Sequence, residues 1–485
     1  MPRIRHLAWS GLLVIVAAAL WRNLPRLAPG MLDWAEPGNV AAALAQGRGF
    51  SDPFGGGTGA TAWVSPLPAW IEALVFLAFG VKSAASAKAL LVLTVLGLGA
   101  ANALLVAAME PFGAWAAAAA SASFLAYATL VPSGPLEVLS EAWLDILLSA
   151  TLLWAALGAA RNPRGRAGAA LVAVSLLAPL DNAGLAAAAA LVLLAIAWPL
   201  RRDPRALAVP TAAAAAALLV VSAWTWRNAS ALGRLIPLKS NFWFEFHLAN
   251  VDSPDGLPRT EAVLRALPYF DPGQFARYAA LGEAAYIDSF RAPSLAALRA
   301  DPLHFAGNVL RRATDAAVFC RREGGGAFTR AQLDPTDVAR LAAAGELLAA
   351  GASGAYWTRI DAPPGRQRAL FASLGLKDGP SAWGDWALKR LAYDQAYRGP
   401  LALAAGYVTA GVPVAALLLA ALLCSGRPPP PAAWAAAIGF GMLLPFVLVN
   451  HNERHQLPLI AMQSAAIGAF AQAAASRLRR ASGSP

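Results

Sequence analysis

Cysteine, histidine and charge are all scarce in this chain. Two of its 485 residues are cysteine, five are histidine, and 14% are charged. Soluble globular domains carry nearer a quarter charged. No cysteine spacing suits a metal site. Cys320 and Cys424 fall on opposite sides of a membrane in the topology read below, which argues against a disulfide between them. No internal repeat is evident, which argues against a transporter built from two related halves. No small-x-small cleavage site precedes Trp21-Arg22, so residues 1–21 read as a retained first span rather than a removed leader.

Apolar sequence fills the space that charge leaves. The chain is 58% hydrophobic with a mean hydropathy of +0.50. Runs such as Leu7–Trp21, Ala84–Ala108, Leu139–Leu157, Leu207–Trp224, Leu401–Cys424 and Leu457–Ala475 are nearly free of charge and close to the length that crosses a bilayer. The expected fold class is therefore an all-α polytopic membrane protein. Ten spans are drawn at 7–21, 84–108, 112–130, 139–158, 167–180, 183–199, 206–225, 400–424, 432–449 and 457–475. Leu67–Phe79 is apolar too, but short, and it holds Pro68 and Glu72. It reads as a juxtamembrane or re-entrant helix on the outer face. The alanine-rich composition suits close helix packing in lipid.

The formal charge of +11 is concentrated in short loops and termini. Arg3, Arg5, Arg161, Arg164, Arg166, Arg201, Arg202, Arg205, Arg427, Arg477, Arg479 and Arg480 sit there, opposed only by Glu110 and Asp203. This is the positive-inside pattern, not a nucleic-acid-binding patch. It places both termini in the cytoplasm of a bacterial inner membrane. Residues 1–225 form an N-terminal membrane module with an outer loop at 22–66. Residues 226–399 form an extracytoplasmic domain, and 400–485 a second membrane module. Apolar residues at helical spacing in Phe275–Phe290, Pro302–Phe319 and Val338–Leu348 predict a mostly helical outer domain.

Polar residues that could carry chemistry cluster on the outer side. Asp33 and Glu36 lie three apart just beyond the first span, where a carboxylate beside apolar groups can act as a general base. On spacing alone, helix capping is the stronger reading for both. Arg227 emerges at the outer interface in Trp226-Arg227-Asn228 and suits either a phosphate contact or a snorkelling anchor. The turn Asn450–Pro458 compresses Arg454, His455 and further polar residues between two spans. It reads as an anionic head-group contact or a solvated turn, and its His451–His455 pair is weak evidence for zinc. Glu137 and Glu141 suit a helix start, Asp145 is costly inside a span, and Asp181-Asn182 tips a hairpin.

Taken in order, these segments resemble the GT-C membrane glycosyltransferases, in the branch similar to bacterial protein O-mannosyltransferases and lipid A aminoarabinose transferases. The resemblance is carried by Asp33 and the turn Gly47-Arg48-Gly49-Phe50, then by Thr61–Leu67 leading to Phe79-Gly80. It continues through Trp226-Arg227-Asn228 with Gly233, Gly282-Glu283, Asp301-Pro302 and Arg311-Arg312, and ends at Arg454–Pro458. It covers most of 1–325 and 440–475, and 326–399 matches nothing in it. It implies a sugar donor on polyprenyl phosphate, an acceptor hydroxyl on protein, lipid or glycan, and reaction at the outer bilayer face with inversion. Carried over, the base role falls on Asp33. Related loops often place Asp and Glu adjacent, whereas Trp34-Ala35 separate them here, which leaves Asp33, Glu36 or both as the base. Arg48, Arg227, Asn228, Lys239, Arg454 and His455 make up the implied substrate-binding set. The residues fix no cofactor and leave a divalent metal open. A non-catalytic docking protein and a lipid or solute transporter are the alternatives.

Overall fold

The computed structural model describes residues 2–23, 36–130, 136, 141–162, 165–253, 256–257, 266–316, 328–331, 347–350, 356–359, 430–450 and 453–481. The membrane module opens with α1 (Pro2–Asn23), followed by two outer helices, α2 (Glu36–Ala45) and α3 (Pro66–Phe79). Next come α4 (Ala84–Met109), α5 (Ala114–Leu130), α6 (Ala142–Ala159), α7 (Arg166–Asp181), α8 (Ala183–Leu200) and α9 (Ala208–Leu232). The outer layer adds α10 (Phe242–Asn250), α11 (Pro272–Leu281), α12 (Glu283–Ala300) and α13 (Pro302–Thr314). The chain closes with α14 (Pro430–Leu448), a 3-10 turn (Glu453–Leu459) and α15 (Ile460–Ala481).

Among the described residues, six helices are long and apolar enough to cross a bilayer: Ala84–Phe112, Ala142–Ala159, Ala183–Leu200, Ala208–Leu232, Pro430–Leu448 and Leu457–Ala481. The expected spans at 112–130 and 167–180 form α5 and α7, of 17 and 16 residues. The apolar part of α1 is Trp9–Trp21. The expected span 400–424 lies outside the described residues, as do Cys320 and Cys424. Helix α3 has 14 residues, roughly 21 Å of rise against a hydrocarbon core of about 30 Å. It packs beside α2 and α4 and is not among the six. Its start is fixed by Pro66 and Pro68 in the first turn, and its end by Gly80 at φ 95°.

Small side chains let the bundle close. A methyl group at Gly184 would come within 2.2 Å of the Met442 carbonyl oxygen, and one at Gly441 within 2.5 Å of the Ala188 Cα. So α8 and α14 touch backbone to backbone, the contact that alanine-rich composition favours in lipid.

The outer layer has a different core. Phe50, Phe54, Trp63, Trp224, Phe244, Tyr278 and Tyr286 form one buried aromatic cluster. It draws the first outer loop, the end of α9 and helices α10 to α12 together. The boundary placed at residue 225 therefore falls within α9, and loop 36–66 belongs to the same packed layer as 226–300. The apolar spacing of Phe275–Phe290 suggested one helix. Two form instead, because Gly282 takes φ 72° between them. Asp271 and Asp301, each before a proline, cap α11 and α13 by accepting the N–H groups of Gln274 and His304 at 2.8 Å.

The all-α expectation misses one element. Phe328–Ala331, Leu347–Ala350 and Tyr356–Arg359 (β1 to β3) form an antiparallel sheet in the order β1-β3-β2, pairing Phe328 with Arg359 and Ala350 with Tyr356. Each strand has four residues, too few for a period-2 pattern to stand out. Leu347 and Leu348, expected in a helix, begin β2.

Candidate functional site

The first outer loop is held by a double grip on one peptide unit. Arg227, in the last two turns of α9, donates through Nη1 to the Thr61 carbonyl and through Nη2 to the Phe50 carbonyl at 2.7 Å. On the other side, the Ala62 N–H donates to Glu283 Oε1 at 2.6 Å. Glu283 Oε2 accepts the Thr61 hydroxyl and, at 2.6 Å, the Tyr278 hydroxyl. The Glu283 side chain opens α12 and is 3% exposed. Hydrogen bonds to charged groups contribute about 1.5–3 kcal/mol each. Burial, then the nearby Glu283 charge, holds the Tyr278 hydroxyl well above its usual range, so it stays protonated and donates. Three residues past the grip, Ser65 leads into α3.

That placement carries Glu72, on the second turn of α3, into a narrow cleft of about 20 Å³. Pro68, Ile71, Leu90, Thr94, Trp143 and Leu144 line it, with Glu72 and Glu141 as its two acids. Glu72 is 8% exposed, and its Oε2 has no hydrogen-bond partner. Burial pushes its carboxyl up to about 8. The charge of Glu141 adds to the rise and Lys82 opposes it. Lys82 donates to Asn39 of α2, whose amide donates to the Pro53 carbonyl at 2.9 Å, which links the cleft rim to the glycine-rich loop. Asp145 lies one turn beyond Glu141 on α6 and shares hydrogen bonds with Asp181 and Asn182 at the α7–α8 corner. Lys239 places its charge near Asp145. Four carboxylates from α3, the lead into α6, α6 itself and α7 thus gather at one end of the bundle, beside the outer layer.

The residues expected from sequence are distributed unevenly around this cleft. Asp33 and Glu137 lie outside the described residues. Glu36 is the first residue of α2 and is half-buried. Arg48 is exposed and pairs with Asp52 and Gln46. Arg227, expected as either a phosphate contact or an anchor, is half-buried against the loop. Its two terminal nitrogens are taken by loop carbonyls, and its guanidinium lies over Phe50 and Trp224. Asn228 is fully buried, accepts from Arg227 and donates to the Ile236 carbonyl at 2.8 Å. Both therefore build the loop's seat. Arg454 and His455 occupy the 3-10 turn. His455 stacks on Phe446 of α14 with centroids 3.8 Å apart, and the Arg454 side chain lies outside the described ones.

Sequence reasoning missed Glu72 as a functional residue and Glu283 as a clamp. The signal for Glu72 was present: an acid inside an apolar segment is costly unless it faces a cavity or a partner. Gly282-Glu283 stood out only within the resemblance, because two of the three partners of Glu283, Thr61 and Ala62, are more than 200 positions away. Among the described residues, no group of three or more His, Cys, Asp or Glu is arranged to hold a metal ion. No protein-family model, curated protein or solved structure matches the chain.

Proposed function

We propose that this chain is a multi-pass membrane glycosyltransferase with ten spans and cytoplasmic termini. It transfers a sugar from a polyprenyl-phosphate donor to an acceptor hydroxyl at the outer face. One observation carries the reading: a buried carboxyl without a partner at Oε2, Glu72, lines a cleft between α3, α4 and the start of α6, and burial pushes it up to about 8. A general base works best with a pKa near the working pH, and this one is matched to neutral or mildly alkaline conditions. The apolar walls of the cleft suit a lipid-borne substrate.

In this mechanism a carboxylate takes the acceptor's proton. The acceptor oxygen forms a bond to the anomeric carbon as the bond from that carbon to the phosphate oxygen breaks. The electron pair leaves with polyprenyl phosphate. That leaving group needs no strong acid, and cations near it stabilise its growing charge. Glu72 is the described candidate for the base, and Asp33 and Glu36 keep the acceptor-side role that the resemblance implies. Lys239, Arg454 and His455 are the candidates for the phosphate. Arg48 lies at the loop surface, where it would meet the acceptor.

The test is transfer of labelled sugar from synthetic polyprenyl-phosphate donors by purified protein in detergent. Wild type should turn over, while Glu72→Gln and the Asp33→Ala/Glu36→Ala pair should not. Full activity in both variants sinks the mechanism. A second reading is supported by the buried acids Asp145 and Asp181, since ionisable groups of that kind also mark proton or cation pathways. Cation-dependent solute uptake into vesicles, without sugar transfer, would favour it.

A further inference from the structure

The largest fully buried side chain in the described residues is a cation, Arg312 of α13. Its guanidinium donates from Nε to the Val447 carbonyl at 2.7 Å and from Nη2 to the Leu448 carbonyl at 3.2 Å. Nη1 donates to Asn250 Oδ1 and to the Gly256 carbonyl, both at 3.1 Å. Val447 and Leu448 end α14, and their carbonyls are among those that a helix leaves unsatisfied at its C-terminus. A cation there also meets the negative end of the helix dipole. So the outer layer supplies, from another part of the chain, the cap that α14 lacks locally.

Two neighbours act on the same spot. Asn250 donates to the Val449 carbonyl at 3.3 Å, and Asn450 donates to Glu245 of α10. Burial lowers the Arg312 pKa to about 10, which leaves it charged at neutral pH. A desolvated guanidinium with four acceptors at fixed angles is a directional device, since its planar fork tolerates little displacement of any acceptor.

We infer that Arg312 is a positioning residue: through the α14 terminus it sets where the 3-10 turn 453–459, with Arg454 and His455, is held. His455 already stacks on Phe446, the residue just before the capped carbonyls. The catalytic consequence rests on the glycosyltransferase reading. If this turn meets the donor phosphate, moving it weakens donor binding more than it slows bond breaking.

The experiment uses the full-length protein in detergent, with Arg312→Lys and Asn250→Ala. Asn250→Ala keeps the buried guanidinium and three carbonyl acceptors, so it tests the device even where Arg312→Lys does not fold. Hydrogen–deuterium exchange is read on peptides covering 446–459 and on loop 50–64 as control. Exchange of 446–459 should rise roughly tenfold or more in Arg312→Lys and less in Asn250→Ala, with the control unchanged. With the polyprenyl-phosphate donor, KM should rise severalfold while kcat changes little. Unchanged exchange at 446–459, or an equal rise in the control loop, overturns the inference. Absence of transfer in wild type would count against the glycosyltransferase reading alone, because the exchange result stands without it.

Discussion

The bundle and the outer layer solve opposite problems. In the bundle, α8 and α14 meet through Gly184, Ala188 and Gly441, and what holds them is the absence of side chains. Such contacts are many, weak and non-directional. In the outer layer, aromatic rings fill the core, and a few charged groups, Glu283, Arg227 and Arg312, bind backbone at fixed angles. The candidate cleft lies between the two, with one acid on α3 and the other leading into α6. The proposed lipid-linked substrate would use that junction: an apolar wall for the chain and a polar, rigid edge for the reacting group.

This contrast breaks most decisively at Glu283. Glu283→Ala leaves the Thr61 and Tyr278 hydroxyls, the Ala62 N–H and the Arg227 charge without their shared partner. It should destabilise the protein by about 3–5 kcal/mol, read as a large drop in melting temperature in detergent, with faster exchange across 50–64. A bundle substitution should cost less and act through volume. Gly441→Val presses on Ala188 and should cost roughly 1–3 kcal/mol without raising exchange in the outer loop.

Glu72→Gln should separate chemistry from stability. Sugar transfer should fall by about a hundredfold or more. The wild-type rate should rise with pH and level off above about 8, as Glu72 loses its proton. Stability should move the other way. The folded protein holds this proton up to about pH 8, whereas the unfolded chain releases it near 4.5. The resulting stabilisation is complete below about 4.5 and lost as pH rises through about 8. Melting temperature measured over that window should flatten in Glu72→Gln. The smallest effect belongs to Arg48→Ala. Arg48 is exposed, and the buried Asp52 it meets still accepts the Gly59 N–H, so the loss should be about 1 kcal/mol by the same melting measurement.

Much of the bundle was legible because hydropathy is a local, additive signal. Long apolar runs such as 84–108 and 183–199 needed no knowledge of their neighbours, and Leu67–Phe79 was recognisably too short. The outer layer was less legible. Phe275–Phe290 keeps helical spacing straight through Gly282, so the break depends on one backbone angle that periodicity does not register. Arg227 and Asn228 drew notice as polar residues at an interface, yet their partners, Phe50, Thr61 and Ile236, are backbone carbonyls that any residue could supply. Glu72 was read for what it says about span length. Its chemical meaning depends on Glu141 and Lys82 arriving from other elements.

The Thr61–Ala62 peptide has a further consequence as an oriented dipole. Its carbonyl end faces a cation rooted in α9 and its N–H end an anion at the head of α12, so both charges act with its polarity. The two helices are thereby electrically joined through a neutral unit that belongs to neither. Such a junction has a direction. Exchanging the charges, with glutamate at 227 and arginine at 283, should fail to restore the protein, because the peptide between them cannot be turned around.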